Sequence, residues 1–234
     1  MPALPHILKN RRRQAPHISP YVSAHIQTAV RAALKDPVGR RDFALAADGA
    51  RIATKLTSTF ESLSDLSAPQ PPENVLDEDM RAISHWLLPN GHGQVGIKLP
   101  SFVYPTNVTI DHIPKEIAAD IHQAPRHMVL WGMLEGRANE RRRIAWQEKF
   151  RASALALNLT RDAPPITNNA TFLPIAAFEY DIHAEYAVQT FPVDALVVDS
   201  CIYFGAVVLE VQTNWGAPST RLYRVRIHGN EISE

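Results

Sequence analysis

The stretch Val207-Val208-Leu209-Glu210-Val211-Gln212 is followed shortly by Tyr223-Arg224-Val225-Arg226-Ile227-His228. In both stretches one series of alternate residues is apolar throughout, while the other series includes charged or polar residues. A period of two is the signature of a β-strand, because successive side chains point to opposite faces of a sheet. The two stretches therefore predict strands that each bury one face, as in an antiparallel sheet.

Similar short runs lie upstream of these two strands. Turn residues separate them, among them Pro89-Asn90-Gly91, Leu99-Pro100 and Ala124-Pro125. The runs are residues 94–99, 103–113, 127–132, 176–180 and 188–193. Many short strands joined by glycine- and proline-containing turns are typical of an all-β fold, and we predict an antiparallel β-sandwich.

The chain divides by pattern into three parts. Residues 1–19 carry basic side chains among prolines and are expected to form a disordered arm. Ser19-Pro20 is a good helix start, and the apolar stripe that follows predicts a helix over residues 20–39 that serves oligomerisation or docking. The alternative is that this stripe folds back on the β domain. Residues 40–234 are expected to form that single domain, with a short helical segment at 42–47 and a loop at 54–73.

Residues 135–171 break the rhythm of strands. They carry a group of basic side chains, and Asn139 is expected to cap a helix that runs through Phe150. We interpret this segment as an exposed insertion outside the core. Its basic face could contact an acidic partner or a membrane surface, or could be a solvated helix.

Several classes of function lack support in the sequence. The 24 basic residues equal the 24 acidic residues, which argues against a dedicated nucleic-acid binder. No glycine-rich phosphate loop, H-E-x-x-H, C-x-x-C or G-x-S-x-G motif occurs, so we expect neither an enzyme nor a bound metal or cofactor. The single cysteine, Cys201, lies in an apolar run and is expected to be buried and unreactive.

Five segments together resemble those of the SUN-domain family, in the same order along the chain. They are Arg41-Asp42-Phe43-Ala44-Leu45-Ala46-Ala47-Asp48-Gly49-Ala50, Thr109-Ile110-Asp111-His112-Ile113-Pro114-Lys115, Ala124-Pro125-Arg126 with the strand after it, Val188-Gln189-Thr190-Phe191, and Thr213-Asn214-Trp215-Gly216 leading to Leu222-Tyr223-Arg224-Val225-Arg226-Ile227-His228-Gly229. The resemblance covers about residues 40–234.

The resemblance implies a galactose-binding-like, jelly-roll-like β-sandwich that forms a homotrimer at the end of a coiled coil. It also implies a location in the lumenal space of the nuclear envelope, with the lumen of the endoplasmic reticulum as the alternative. There the domain would bind the C-terminal tail of a KASH-type protein of the outer nuclear membrane. Such a bridge links the nucleus to the cytoskeleton for nuclear positioning or for attachment of spindle pole bodies or chromosomes. A membrane anchor is expected in the full-length protein, outside this chain.

The resemblance also implies which residues bind the peptide. His112 stands at the family's histidine, Gln123 and Ser219 stand where animal members have hydroxyl residues, and Tyr223 lies further along the last strand. Phe60 is the one aromatic residue of the segment 51–72, which corresponds to the family's lid and is shorter here.

Two further departures concern covalent links. His85 and Arg221 occupy positions where many members have a disulfide beside a cation-binding loop, and the lid segment contains no cysteine. A bridge made by this chain is therefore expected to be non-covalent. Two other functions stay open at this point: a lumenal or secreted glycan- or surface-binding module, and a scaffold whose trimer helix is the working element.

Overall fold

The computed structural model describes residues 39–60, 70–78, 84–156 and 159–232, and for residues 153–156 it describes the backbone only. The predicted arm over 1–19 lies outside these residues, as does the predicted helix over 20–39 except for Gly39. Residues Arg40–Glu234 form one compact unit.

All strand pairings among the described residues of the unit are antiparallel. The strands are β1 Arg51–Ile52, β2 Trp86–Leu88, β3 Gly93–Asp111, β4 His127–Met133, β5 Phe172–Glu179, β6 Val188–Pro192, β7 Phe204–Val211, β8 Thr220–Leu222 and β9 Arg224–Glu231. The helices are α1 Gly136–Ala145, α2 Gln147–Ala156 and α3 Ala195–Asp199, and short 3-10 turns lie at Ala46–Asp48, Thr54–Leu56, Pro72–Leu76 and Ile121–Gln123.

The 19-residue strand β3 joins the two layers of the sandwich. Its first half belongs to the order β1-β3-β7-β4-β5, and its second half lies between β6 and β9. The separate pair β2-β8 completes the described sheets. Side chains from both halves of β3, such as Ile97 and Ile110, are fully buried in one main core together with Leu209 and Val225. The predicted antiparallel β-sandwich is thus confirmed.

The turn predicted at Leu99-Pro100 is wrong. The strand continues through these residues, and the pairing of β3 with β7 shifts register between Lys98 and Val103. A bulge tolerates proline because it leaves backbone groups outside the hydrogen-bond ladder. The same irregularity lets β3 pass from one layer to the other.

The expectation that the last strand exposes its polar face is also wrong, because Arg224, Arg226 and His228 are all buried. Arg226 donates to both carboxylate oxygens of Asp111 at 3.0 Å, and Arg224 pairs with Asp42 at 2.9 Å. Buried charges are tolerated only where such partners compensate their loss of water. The two ion pairs therefore fix β9 against β3 and against the segment that enters the domain.

The first residues of the domain are held by a carboxylate and by a glycine turn. Asp42 accepts from the backbone N–H groups of Ala44 at 2.8 Å and Ile227 at 3.2 Å. The helical segment predicted at 42–47 is a 3-10 turn at Ala46–Asp48, and Gly49 ends it with φ of 105°, in the left-handed region that favours glycine.

The 135–171 segment is more integrated than the sequence indicates. The single helix expected over 139–150 is two helices, with a break at Trp146. Asn139 lies inside α1, fully buried, and donates to the carbonyl oxygens of Glu135 at 3.0 Å and Tyr203 at 2.7 Å. Phe150 enters the main core. The prediction that the segment stays outside the core is therefore wrong at Asn139 and Phe150.

The rest of this segment packs on the layer that contains β4 and β7, on the side away from the main core. Leu159, Ala163 and Ala170 pack on a second small core that contains Trp131 and Leu56. In the same region, Gln94 accepts from the Ile166 N–H at 2.9 Å and donates to the carbonyl oxygens of Ile166 and Leu56 at 2.9 and 2.8 Å. One buried amide thus connects the insertion to the start of the lid segment.

Candidate functional site

The candidate site begins with a contact between His112 and Tyr223. The His112 ring follows directly after β3, and Tyr223 lies at the junction of β8 and β9. Their ring centroids are 4.7 Å apart in an edge-to-face arrangement. The ring of Tyr180 lies 5.8 Å from His112, and the ring of His85 lies 5.4 Å from Tyr223. The histidine and tyrosine named from the resemblance therefore lie side by side.

The hydrogen bonds of His112 leave one ring nitrogen available. Its Nδ1 lies 2.9 Å from the carbonyl oxygen of Ile113, and a carbonyl can only accept, so Nδ1 carries the proton. Its Nε2 is buried and has no hydrogen-bond partner among the described residues. An unsatisfied buried polar atom is costly and calls for an explanation. A bound ligand is one way to satisfy it.

The charges around His112 are positive. Burial lowers the pKa of His112 below its usual 6.5, the hydrogen bond to Ile113 acts in the opposite direction, and the nearby charges of His85 and Arg221 lower it further. Burial raises the pKa of the Tyr223 hydroxyl, although a hydrogen bond with Arg221 opposes that shift. Arg221 also has a buried Nε without a partner among the described residues. This arrangement favours an anion.

A second pair of predicted residues lies beside strand β8. Gln123 donates from Nε2 to the Ser219 hydroxyl at 3.0 Å. Ser219 is two residues before Arg221, and Asn214 holds the Ser219 carbonyl with a bond of 3.0 Å. The side chains that replace the family's hydroxyl residues thus form a polar pair of their own.

The structure places Phe60 elsewhere. Its ring packs against Trp86 at 5.9 Å and lines a cleft of about 730 Å³ between the lid segment and the insertion. Arg161, Ile166 and Glu210 also line this cleft. Glu210 is buried, accepts from Trp131 at 2.9 Å and pairs with Arg161, so the cleft floor carries a compensated charge.

The expectation for Cys201 is wrong. Its side chain is exposed, and its backbone has φ of 54° in a turn after α3, before β7 begins at Phe204. The apolar neighbours that suggested a strand are split between this turn and the strand itself. Cys201 precedes β7, whereas the His112 site lies where β3 ends.

Within the described ranges, no group of three or more histidine, cysteine, aspartate or glutamate side chains is arranged to hold a metal ion. No helix of the described part of the chain has the length and apolar character needed to cross a membrane.

Comparison with known proteins decides the family. A family model described as Sad1 / UNC-like C-terminal matches residues 66–150 and 166–231, which is more than half of the chain. The chain belongs to this family. The residues between the two matched blocks fall inside the insertion, so the family model does not extend to the part of the insertion that includes Arg161 and Pro165.

Curated relatives carry the SUN-domain name. The chain is 29% identical over 208 residues to SUN domain-containing protein 5 of Homo sapiens, a match that covers 83% of this chain and 45% of that protein. It is 27% identical over 217 residues to SUN domain-containing protein 2 of Mus musculus, covering 87% and 25% respectively. The chain therefore spans less than half of the length of either relative.

Among solved structures, the family 32 carbohydrate-binding module of Streptococcus pneumoniae EndoD is similar in fold. The TM-score is 0.51 with 13% sequence identity, and the match covers 81% of this chain and all of that module. At this identity the similarity shows the architecture alone, which is that of a jelly-roll-like β-sandwich.

Sequence reasoning did not place His85 and Arg221 in the SUN-domain site. Both were noted only as replacements of a disulfide, and the structure shows each beside Tyr223 and close enough to His112 to act on its charge. Their signal was present in the sequence, since two positions that are joined by a disulfide in relatives must lie close together. Replacing them with a histidine and an arginine places two basic side chains at one point.

Proposed function

We propose that this SUN domain binds the C-terminal tail of a KASH-type protein of the outer nuclear membrane, with the terminal carboxylate at His112, Tyr223 and Arg221. The observation that carries the proposal is the pair of buried nitrogens without partners, His112 Nε2 and Arg221 Nε, in a cluster of positive charge. A carboxylate accepts several hydrogen bonds and gains most from charged donors.

Gln123 and Ser219 would contact an extended tail that leads away from this point, and Phe60 would provide a second contact in its separate cleft. Gln123 and Ser219 offer amide and hydroxyl groups beside β8, and Phe60 offers apolar surface at the start of the lid segment. Peptides that bind as added strands gain affinity from main-chain hydrogen bonds and specificity from side-chain pockets. His112, Tyr223 and Arg221 would then select the tail's end, and Gln123, Ser219 and Phe60 would select residues before it.

Membership of the SUN-domain family supports a proposal for the wider setting. The domain would act in the lumenal space of the nuclear envelope, as a trimer that engages three tails, and would be held there by an anchor outside this chain. Linked sites reinforce one another because the second tail binds at a high effective concentration. No covalent link to the tail is expected, since Cys201 lies away from the His112 site.

A titration of the protein with a KASH-type tail peptide tests the proposal. His112→Ala should weaken binding by about tenfold to a hundredfold, the range expected when one charged hydrogen bond is lost. The matched control is His127→Ala, because His127 is exposed and contacts Thr213 at 2.8 Å near the same end of the sandwich. Unchanged affinity for His112→Ala, with normal thermal unfolding, would reject the assignment.

A further inference from the structure

The exposed face of α1 combines charge with apolar surface. Arg137, Arg141 and Ile144 are spaced by four and three residues, which places them on one side of the helix. All three are exposed, and 56% of the Ile144 surface is accessible to solvent. Glu140 pairs with Arg143 at 2.6 Å and so does not neutralise this side of the helix.

The charge of this region departs from that of the whole chain. The segment from Glu135 to Arg151 contains six basic residues, five of them arginines, and three glutamates. One of the glutamates, Glu135, lies close to Phe102, and another, Glu140, pairs with Arg143. The complete chain, in contrast, has equal numbers of acidic and basic residues. Within a net-neutral protein, this segment therefore has an excess of three positive charges.

Aromatic side chains adjoin the basic helix. The guanidinium of Arg142 lies 5.8 Å from the centre of the Tyr203 ring, and Phe102 and Tyr104 make edge contacts with that ring at 5.2 and 6.0 Å. Phe102 is 47% exposed. Asn139 ties α1 to the Tyr203 backbone, so the helix and the aromatic group are held together. We call Arg137, Arg141, Arg142, Ile144, Phe102 and Tyr203 the basic–aromatic patch.

The patch and the peptide site lie at opposite ends of the sandwich. Strand β4 starts beside the peptide site, since Tyr180, whose ring lies 5.8 Å from that of His112, donates its N–H to the Arg126 carbonyl oxygen at 2.9 Å. It ends at Met133, immediately before the patch, and β7 runs back from the patch to Val211. Met128 pairs with Val211 and Gly132 pairs with Val207, so β4 and β7 lie side by side between the two ends of the sandwich. A tail bound at His112 would therefore leave the patch uncovered.

We infer that the basic–aromatic patch docks on an anionic phospholipid surface. Arginines attract lipid phosphates and acidic headgroups, aromatic side chains favour the boundary between water and acyl chains, and Ile144 would enter that boundary. The carboxylates of an acidic peptide would pair with the arginines, but they would make no favourable contact with the exposed Ile144 and Phe102. The combination of charge with exposed apolar groups is what favours the membrane surface.

Vesicle binding measures this directly. The full chain is sedimented with vesicles of equal parts phosphatidylserine and phosphatidylcholine, and separately with pure phosphatidylcholine vesicles. The N-terminal run Arg11-Arg12-Arg13 also attracts anionic lipid, so all measurements use a background in which these three residues are glutamine. Binding should require the anionic lipid and should weaken as salt is added.

Two patch variants separate charge from apolar insertion. Arg137→Glu with Arg141→Glu should lower the partition coefficient at least tenfold, since each basic residue near an anionic surface contributes about fivefold. Ile144→Ser, which changes no charge, should lower it by a smaller factor that persists at high salt. The control is Arg51→Glu with Lys115→Glu, which changes the net charge by the same amount at exposed sites elsewhere and should have little effect.

Three results would overturn the inference. The first is equal loss in the patch and control variants, which would mean that only net charge matters. The second is binding to a glutamate-rich peptide without binding to vesicles, which would make the patch a protein-binding surface. The third is a change of sedimentation coefficient in Arg137→Glu/Arg141→Glu without lipid, which would make it an interface between copies.

Discussion

At the scale of single residues, the protonation of His112 controls what its ring can bind. Since Nδ1 donates to Ile113, the neutral ring offers only a lone pair at Nε2. A carboxylate cannot donate to that lone pair, but it can accept from the protonated ring. Binding of a terminal carboxylate should therefore bring a proton to His112, and the pKa of His112 should rise in the complex.

Peptide affinity should consequently increase as the pH falls. The free protein holds the pKa of His112 below 6.5, whereas the complex should hold it higher. Affinity then grows between the pKa of the complex and the lower pKa of the free protein, while the tail carboxylate, with a pKa of about 3.5, stays ionised. Calorimetric titrations in buffers of different ionisation enthalpy would detect the proton uptake.

The control for this prediction is His112→Gln, which keeps a donor but cannot titrate. Its peptide affinity should lose most of the rise with falling pH. If proton uptake were the same in the variant and in the natural protein, another group would be responsible and the assignment to His112 would be wrong.

At the scale of elements, the buried amide of Gln94 joins the insertion to the start of the lid segment. Its three hydrogen bonds satisfy both backbone groups of Ile166 and the carbonyl of Leu56. Backbone groups that lose their partners in a buried position cost free energy. The position of the cleft beside Phe60 therefore depends on a segment that the family model does not fully match.

Gln94→Leu should lower the free energy of unfolding by about 2–3 kcal/mol, because it leaves these groups unsatisfied. It should also expose residues 159–170 to protease before the β7 strand is cut. Gln212→Leu is the matched control: its side chain lines the same cleft but is exposed, and we expect a change within about 0.5 kcal/mol. Equal stability of the two variants would contradict the role of Gln94.

The elements also show what the sequence could predict. Alternation in 207–211 and 223–228 predicted β7 and β9 because period two is a local property of the chain. The burial of Arg224 and Arg226 could not be read from that alternation, since their partners Asp42 and Asp111 lie far away in sequence. Phe150 enters the core for a similar reason, as its neighbours come from other elements.

The candidate site also contains residues that the sequence could predict and residues that it could not. The family resemblance named His112 and Tyr223, and also Gln123 and Ser219, as site residues, because both pairs lie on segments shared with the family. The structure shows each pair in contact. Phe60 lines a separate cleft, since the insertion that forms its other wall belongs to a region without a family pattern. Cys201 is exposed because it lies in a turn with a left-handed backbone conformation. The apolar residues next to it in the sequence give no indication of this turn.

At the scale of the whole molecule, the two proposed functions lie at the two ends of the sandwich. The His112 site brings together two buried nitrogens, His112 Nε2 and Arg221 Nε, that have no partner among the described residues. The basic–aromatic patch presents exposed cations and apolar groups. A KASH-type tail at one end would leave the patch at the other end free to contact lipid. Because Cys201 precedes β7, at the end that carries the patch, we expect the peptide to be held without a disulfide.

The most direct test of the central claim compares two versions of one tail peptide, with a free C-terminal carboxylate and with a C-terminal amide. Below the pKa of His112 in the complex, the natural protein should bind the free acid at least about tenfold more tightly. There the carboxylate accepts charge-assisted hydrogen bonds from the protonated ring and from Arg221, whereas the amide brings no charge and its N–H suits only the neutral ring. In His112→Ala with Arg221→Ala this preference should disappear. Equal affinity of the natural protein for acid and amide would contradict a carboxylate site at His112.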